Sequence, residues 1–386
     1  MEKSYLLYIA IILFAAKVFG LCMRKIRMPQ VLGMLIAGVL LGASGLGVIQ
    51  NGPILSAIAE LGVVVLMFTA GMETNITILK KTWKQAIVIA LFGVALPMIA
   101  GFAIGEVYNL GAIHSIFLGV VLTATSISIT VETLREMGKL NTPTGTVILG
   151  AAVIDDVLGI MILSVALGFA ETGEISLGGM ASIIAKFIIF VAIALVLGHV
   201  VRKYFVATNQ KLGKVRRLTI FALAFCLGLS YLAERFGLAD ITGAYLAGVI
   251  LANSMSREYI DERISTLSHV FFTPIFFAGI GLQTQLSGFN MGVVMFSLVF
   301  IIAAIVTKII GCGIAGVMCK FKTSEALQIG IGMIPRGEVA LIVASKGLAL
   351  GYMDDKMFAS TIIMVLVTIL VTPIFLKMSY SKKNTD

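Results

Sequence analysis

Two adjacent carboxylates, Asp155 and Asp156, lie in the middle of a long apolar stretch of this chain. They belong to the sequence GAAVIDDVLG, which runs from Gly150 to Gly159. One charged side chain at the centre of a bilayer costs about 2.5 to 3.5 kcal/mol on an insertion scale. Because two such charges carry that cost twice, a packing role does not account for them. We therefore predict that the pair is the working centre of the protein.

A carboxylate in such surroundings can bind either a proton or a small cation, and the two ligands compete. If access alternates between the two faces of a membrane, competition at one site is sufficient for antiport. Adjacent helical residues project about 100° apart, so Asp155 and Asp156 cannot face one direction. One can pair with a base while the other faces a cavity, and the spacing leaves open which of the two binds the ion.

The composition is typical of a polytopic membrane protein. Of the 386 residues, 59% are hydrophobic and 13% are charged, whereas soluble domains average about 25% charged residues. The net charge of +9 is expected to reflect basic loops beside a lipid bilayer, so nucleic acid is not a predicted partner.

Thirteen apolar segments account for nearly every residue, and each is predicted to be a transmembrane helix. Their limits are 4–23, 29–44, 55–72, 85–107, 113–136, 143–170, 178–202, 217–235, 240–254, 267–285, 291–318, 325–348 and 357–378. All connections are short. The predicted fold class is therefore an all-α polytopic membrane protein, a single transporter domain with no soluble domain.

The distribution of Lys and Arg predicts the orientation. With the N-terminus outside, 21 of the 29 basic residues fall in cytoplasmic loops or the C-terminal tail, and four fall on the outer face. Because basic residues are enriched on the cytoplasmic side, this asymmetry predicts an outer N-terminus and a cytoplasmic C-terminus. The expected location is a bacterial-type inner (plasma) membrane.

The two halves of the chain repeat at a nearly constant offset. The segment 31–42, VLGMLIAGVLLG, is similar to 241–252, ITGAYLAGVILA, and the segment 68–74, FTAGMET, is similar to 276–284, FFAGIGLQT. One helix, 178–202, links the halves, so the second half would enter the membrane from the opposite side. This pattern predicts an inverted-topology repeat, which is common in secondary transporters.

The same offset predicts two interrupted helices. The fifth segment contains TATSIS, residues 123–128, and Pro335 follows Thr125 by 210 residues within GMIPRGEVA of the twelfth segment. Proline removes a backbone donor, and Ser and Thr side chains can satisfy the carbonyl groups that a break frees. We therefore predict two discontinuous helices that cross at the midplane and present dipole ends to a small ion.

Further charges lie at the same depth. Lys308 is the expected partner of one aspartate, because an unpaired lysine there would be costly. Arg336 and Glu338 are expected either to compensate the dipoles of the broken helices or to form a structural ion pair. Glu73, at the inner end of the third segment, is either a solvated helix-end charge or a weak part of a cytoplasmic funnel.

Together these motifs resemble the bacterial monovalent cation:proton antiporters of the second superfamily branch, in particular the NapA-like Na+/H+ antiporters. The resemblance covers essentially the whole chain. It depends on GAAVIDDVLG from Gly150, TATSIS from Thr123, IPRGEVALIVA from Ile334, TK-x-x-G from Thr307 and AGMET from Ala70.

The resemblance implies an NhaA/NapA-like fold and a homodimer. Helices 85–170 and 291–378 would form a moving core, and helices 4–72 and 217–285 would form the dimerising panel, with 178–202 as the linker helix.

The family pattern also assigns the site. It implies that Asp156 binds the cation or protons, while Asp155 pairs with Lys308 when the site is unloaded. Thr125 and Ser126 would lie at the helix crossing together with Glu338. The presence of both aspartates and the lysine implies electrogenic exchange of two protons per cation.

The predicted function is secondary-active Na+(Li+)/H+ antiport with alternating access. A K+(Na+)/H+ exchanger is the nearest alternative, and a Na+-coupled organic-solute symporter and a gated cation channel are alternatives from other classes. No nucleophile or nucleotide motif indicates an enzyme. No cofactor is expected, and no metal beyond the transported Na+.

Overall fold

The computed structural model describes residues 4–26, 28–43, 45–50, 52–172, 177–212, 215–252, 254, 257–282 and 291–381. All regular secondary structure in these ranges is helical, which confirms the predicted all-α fold class. The helices are α1 (Ser4–Lys25), α2 (Gln30–Leu41), α3 (Pro53–Glu73), α4 (Ile76–Val107), α5 (Ala112–Thr123), α6 (Ile127–Glu136), α7 (Pro143–Thr172), α8 (Leu177–Leu212), α9 (Val215–Arg235), α10 (Asp240–Leu251), α11 (Arg257–Leu267), α12 (Thr273–Leu282), α13 (Met291–Met318), α14 (Thr323–Gly332), α15 (Glu338–Ala349) and α16 (Asp355–Ser381). One π-helical turn, Ser268–Phe272, joins α11 to α12.

Ten helical stretches within the described residues are long and apolar enough to cross a membrane. Three further apolar helices are shorter, namely Gln30–Leu41, Asp240–Leu251 and Val339–Leu348. These thirteen stretches correspond to the thirteen predicted segments. Two end earlier than expected, since α2 ends at Leu41 rather than at 44, and α10 ends at Leu251 rather than at 254. The twelfth predicted segment is divided into α14 and α15. The glycine-rich sequence after Leu41 favours a turn, because glycine in a helix loses more conformational entropy than other residues.

The chain divides into two compact units. Unit 1 comprises Met1–Cys22, Gly33–Lys80 and Ser182–Gln283, and unit 2 comprises Met23–Leu32, Lys81–Ala181 and Thr284–Asp386. The predicted panel segments lie mainly in unit 1 and the predicted core segments mainly in unit 2. Their roles in dimerisation and movement stay predictions.

Unit 1 is held together by close approach of helix backbones. Gly71 of α3 faces Gly248 of α10, and a Cβ atom added to Gly71 would lie 3.0 Å from the Gly248 Cα atom. One turn away, the buried Thr74 hydroxyl donates to the Tyr245 hydroxyl at 3.3 Å. Small residues allow such contact between apolar helices, where packing rather than the hydrophobic effect drives association.

Unit 2 contains both interrupted helices. The first interruption separates α5 from α6 at residues 124–126, and the second separates α14 from α15 at residues 333–337. This confirms the predicted discontinuities at TATSIS and Pro335. The remaining helices of the unit position the charged residues, with Asp155 on α7 and Lys308 on α13.

Candidate ion-binding site

At the first interruption one helical hydrogen bond is absent, and two hydrogen bonds to residues of the second interruption replace it. In a continuous helix the Ser126 amide would donate to the Leu122 carbonyl. Here the Ser126 amide donates to the Pro335 carbonyl at 2.7 Å. The Leu122 carbonyl accepts instead from Arg336 Nη2 at 2.8 Å. The chain between α5 and α6 is therefore held open by residues between α14 and α15.

The second interruption loses the equivalent bond. In a continuous helix the Arg336 amide would donate to the Gly332 carbonyl. The Arg336 amide donates to Thr368 Oγ1 of α16 at 3.2 Å, and the Gly332 carbonyl accepts from Thr130 Oγ1 of α6 at 2.6 Å. The bonds from Ser126 to Pro335 and from Arg336 to Leu122 join the two interruptions directly, which confirms the predicted crossing of two discontinuous helices.

The hydroxyl groups that complete the second interruption were not singled out from the sequence. Thr130 lies two residues beyond the TATSIS motif, and Thr368 is one of several threonines in α16. Nothing in the local sequence distinguishes Thr368 from Thr361 or Thr372, since each can donate to its own helix backbone.

The Arg336 side chain is fully buried and donates to carbonyl groups of several helices. Besides Leu122, Arg336 Nη2 donates to the Ala304 carbonyl at 3.1 Å, and Nη1 donates to the carbonyls of Met333 (3.3 Å) and Ile334. Leu122 and Met333 lie at the C-terminal ends of α5 and α14, where carbonyl groups carry partial negative charge. The guanidinium is therefore placed where it stabilises both helix ends.

The structure places Asp155 and Lys308 together in the interior of unit 2. Lys308 Nζ lies 3.2 Å from Asp155 Oδ1 and 3.5 Å from Oδ2. Asp155 is 2% exposed and Lys308 is 0% exposed. Thr125 is a further hydrogen-bonding partner of Asp155, and the charge of Arg336 also acts on Asp155. A buried charge needs such partners, because leaving it unpaired in a poor dielectric is strongly unfavourable.

Asp156 has a different environment from Asp155. Its side chain is half-buried, whereas Asp155 is almost fully enclosed. Ser126, at the first interruption, is also buried, and its Oγ lies 3.2 Å from Ser128 Oγ. The site thus offers carboxylate and hydroxyl oxygens, and hard cations bind oxygen ligands.

The structure does not test the roles predicted for two further site residues. Glu73 is the last residue of α3 in unit 1, and its side chain is half-buried. Glu338 begins α15, but its side chain lies outside the described residues. The predicted roles of Glu73 and Glu338 therefore stay predictions. Among the described residues, no group of three or more His, Cys, Asp or Glu side chains could hold a metal ion.

Curated proteins similar to this chain are named as cation antiporters. The Na(+)/H(+)-K(+) antiporter GerN of Bacillus cereus is 34% identical over 100% of this chain and 98% of its own length. The Na(+)/H(+) antiporter of Enterococcus hirae is 33% identical over 96% of each chain. The high-affinity Na(+)/H(+) antiporter NhaS3 of Synechocystis is 35% identical over 96% of this chain and 89% of its own length.

A solved structure supports the fold, and a family description covers most of the chain. The sodium proton antiporter MjNhaP1 of Methanocaldococcus jannaschii, solved by electron microscopy, superimposes with a TM-score of 0.76 and 18% identity over 99% of this chain and 97% of its own. The family described as "Sodium/hydrogen exchanger, transmembrane" matches residues 9–380. The chain therefore belongs to the sodium/hydrogen exchanger family of membrane proteins.

Proposed function

We propose that this protein exchanges Na+ or Li+ for H+ across a membrane by alternating access. The observation that carries the proposal is the buried Asp155–Lys308 ion pair beside the half-buried Asp156, in a chain of the sodium/hydrogen exchanger family. Two carboxylates at this depth indicate a functional site, since packing alone would favour apolar residues of similar volume.

In the proposed mechanism the two aspartates have different tasks. Asp156 binds a cation or a proton in turn, and the helix crossing supplies oxygen ligands from Thr125 and Ser126. Asp155 is held by Lys308, which keeps that carboxylate from competing for the cation in the unloaded state. A lysine that releases its proton during the cycle would make exchange electrogenic. Unit 2 would move as the core while unit 1 forms the panel of a homodimer in a bacterial-type inner membrane.

The nearest alternative is K+(Na+)/H+ exchange. It is favoured by one relative, GerN, whose name includes K+ as well as Na+. The comparison of Na+, Li+ and K+ at equal concentrations in one assay distinguishes the two functions.

The first test is transport in proteoliposomes with Asp156→Asn. We expect the wild type to dissipate an imposed pH gradient when Na+ or Li+ is added, because bound protons are displaced by the cation. Asp156→Asn should abolish this response, since an amide cannot exchange a proton for a cation at the same atoms. Asp355→Asn is a matched control, because Asp355 is an exposed residue at the start of α16.

The outcomes separate the function from the site. Full activity of Asp156→Asn beside an active wild type would reject the assigned ion-binding residue. A wild type that responds to none of the three cations would reject antiport itself. A response to K+ that exceeds the response to Na+ would select the alternative.

A second test asks whether Lys308 supports electrogenicity. We expect Lys308→Gln to reduce the dependence of the exchange rate on an imposed membrane potential, because the titrating ammonium is lost. The measurement compares initial rates at zero and negative potential, set by a K+ diffusion gradient with valinomycin. Exchange in Lys308→Gln that stays as voltage-sensitive as in the wild type would contradict this role.

A further inference from the structure

A glycine of α4 lies directly against the side chain of Lys308. A Cβ atom added to Gly93 would lie 3.6 Å from Lys308 Nζ and 2.7 Å from Cys312 Sγ. The same Nζ atom lies 3.2 Å from Asp155 Oδ1. A methyl group at residue 93 would thus be within van der Waals distance of the ammonium group of the ion pair.

The space around these groups is full. Lys308 and Cys312 are four residues apart on α13, so they share one face of that helix, and both are 0% exposed. The Cys312 thiol points towards α4, where its Sγ lies 3.7 Å from the Ile89 carbonyl. Ile89 precedes Gly93 by one turn, so the thiol covers the surface that the missing side chain of Gly93 leaves open.

We propose that Gly93 is a positioning residue for the Asp155–Lys308 ion pair. Close-packed interiors tolerate no added methyl group without movement of a neighbour. A methyl group at residue 93 overlaps the Cys312 thiol, and the displaced thiol has Lys308 beside it. Gly93 therefore fixes the place of the ammonium group, and with it the strength of its attraction to Asp155. This inference rests on the proposed function, because it gives that ion pair a part in exchange.

A matched control exists at the same helix interface. Gly311 of α13 also faces α4, and a Cβ atom added there would lie 2.7 Å from the Phe92 carbonyl. The shortest distance is the same as at Gly93, but here it is to a backbone carbonyl of α4, whereas at Gly93 it is to a side-chain thiol of α13. Gly311→Ala therefore separates α4 from α13 without removing the space that Gly93 leaves for the thiol.

The experiment measures exchange by wild type, Gly93→Ala, Gly311→Ala and Cys312→Ala, and by each glycine variant combined with Cys312→Ala. We expect Gly93→Ala to change the apparent KM for Na+ by about tenfold and to shift the pH profile, because a freed Asp155 carboxylate alters competition at the site. Cys312→Ala alone should resemble the wild type. Gly93→Ala with Cys312→Ala should return towards wild type, since the overlapping sulfur atom is gone. Cys312→Ala should not rescue Gly311→Ala.

Two results would overturn the positioning role. One is an unchanged KM and pH profile in Gly93→Ala; the other is a change that Gly311→Ala reproduces and that Cys312→Ala fails to rescue. A wild type without cation-dependent exchange would reject the proposed function instead. In that case thermal unfolding still tests the contact, because Gly93→Ala should destabilise the protein less in a Lys308→Ala background than in the wild type. Equal destabilisation by Gly93→Ala in both backgrounds would reject the contact between residue 93 and Lys308.

Discussion

The two interrupted helices of unit 2 lose the same backbone hydrogen bond and replace it with different groups. At the first interruption the Ser126 amide donates to a backbone carbonyl, and the Leu122 carbonyl accepts from a charged guanidinium. At the second, the Arg336 amide donates to one neutral threonine hydroxyl, and the Gly332 carbonyl accepts from another. Residues 122 and 126 lie 210 positions before 332 and 336, which is the offset of the sequence repeat.

The first interruption depends on the second for its hydrogen bonds more than the second depends on the first. The first has no proline, glycine or charge of its own at residues 124–126, and both of its replacement bonds come from the second. The second has Pro335, which has no backbone N–H group, and takes one replacement bond from α6 and one from α16. Changes at the second interruption should therefore disturb both helices, whereas changes at the first should stay smaller.

Arg336→Ala should have the largest effect. It leaves buried carbonyl groups of four residues without this donor, one at the first interruption and two at the second. We expect a loss of about 3 to 5 kcal/mol in the free energy of unfolding, the range for breaking a buried charged network, together with loss of exchange. Thermal unfolding of purified protein in detergent measures the first effect. The loss of stability in Arg336→Lys should lie between those of the wild type and Arg336→Ala, since lysine keeps the charge but lacks the several donors of the guanidinium.

The control for this prediction is Arg235→Ala, which removes an exposed guanidinium. If Arg336→Ala is no more destabilising than Arg235→Ala, the guanidinium does not hold the two interruptions together, and the comparison fails.

Gly337→Ala should have the second-largest effect, because the added methyl group of the second interruption overlaps a side chain of the first. A Cβ atom at residue 337 would lie 2.6 Å from both Cβ and Oγ of Ser126. We expect a loss of about 1 to 3 kcal/mol of stability from this overlap. Ser126→Gly removes both overlapping atoms and should restore stability in the double variant, whereas Ser126→Ala, which keeps Cβ, should not. Independent effects of residues 126 and 337 in thermal unfolding would contradict the contact.

Thr130→Val should have the smallest effect. It removes the hydroxyl that donates to the Gly332 carbonyl but keeps the shape of the side chain. We expect a loss of about 1 kcal/mol, at the lower end of the cost of an unsatisfied buried acceptor. Thr133→Val is the control, because the Thr133 hydroxyl donates to the Ile129 carbonyl of its own helix. Equal losses of stability in Thr130→Val and Thr133→Val would show that the hydrogen bond from Thr130 to the Gly332 carbonyl does not stabilise the second interruption.

Patterns along the chain were sufficient for much of the fold. Apolar run length located thirteen helical stretches, and Pro335 with the repeat offset located both interruptions, because these properties are local or periodic. The ends of α2 and α10 were placed too late, since an apolar residue can follow a helix as easily as extend it. The partners of Arg336 could not be predicted, because Leu122, Ala304 and Met333 come together only when three helices pack.

The charges of the site could be predicted from the residues themselves, whereas the pairing of Asp155 with Lys308 was implied only by the family resemblance. Asp155, Asp156 and Lys308 are identifiable because charge in an apolar segment is costly. Which aspartate lies beside the lysine depends on the rotation of α7 about its axis, and an apolar helix that is buried on several sides leaves little record of that rotation in its sequence. Gly93 and Cys312 gave no signal, since both are ordinary residues for a packed membrane helix.

The single hydrogen bond from the Ser126 amide to the Pro335 carbonyl has a consequence for movement. Two extended segments side by side usually extend into a ladder, in which each residue both donates and accepts. Pro335 can accept but cannot donate, so pairing stops after one rung. The crossing stays one residue wide and cannot unzip or lengthen like a sheet. Breaking that bond alone would cost about 1 kcal/mol, so the link between the two interruptions depends more on the Arg336 guanidinium than on backbone pairing.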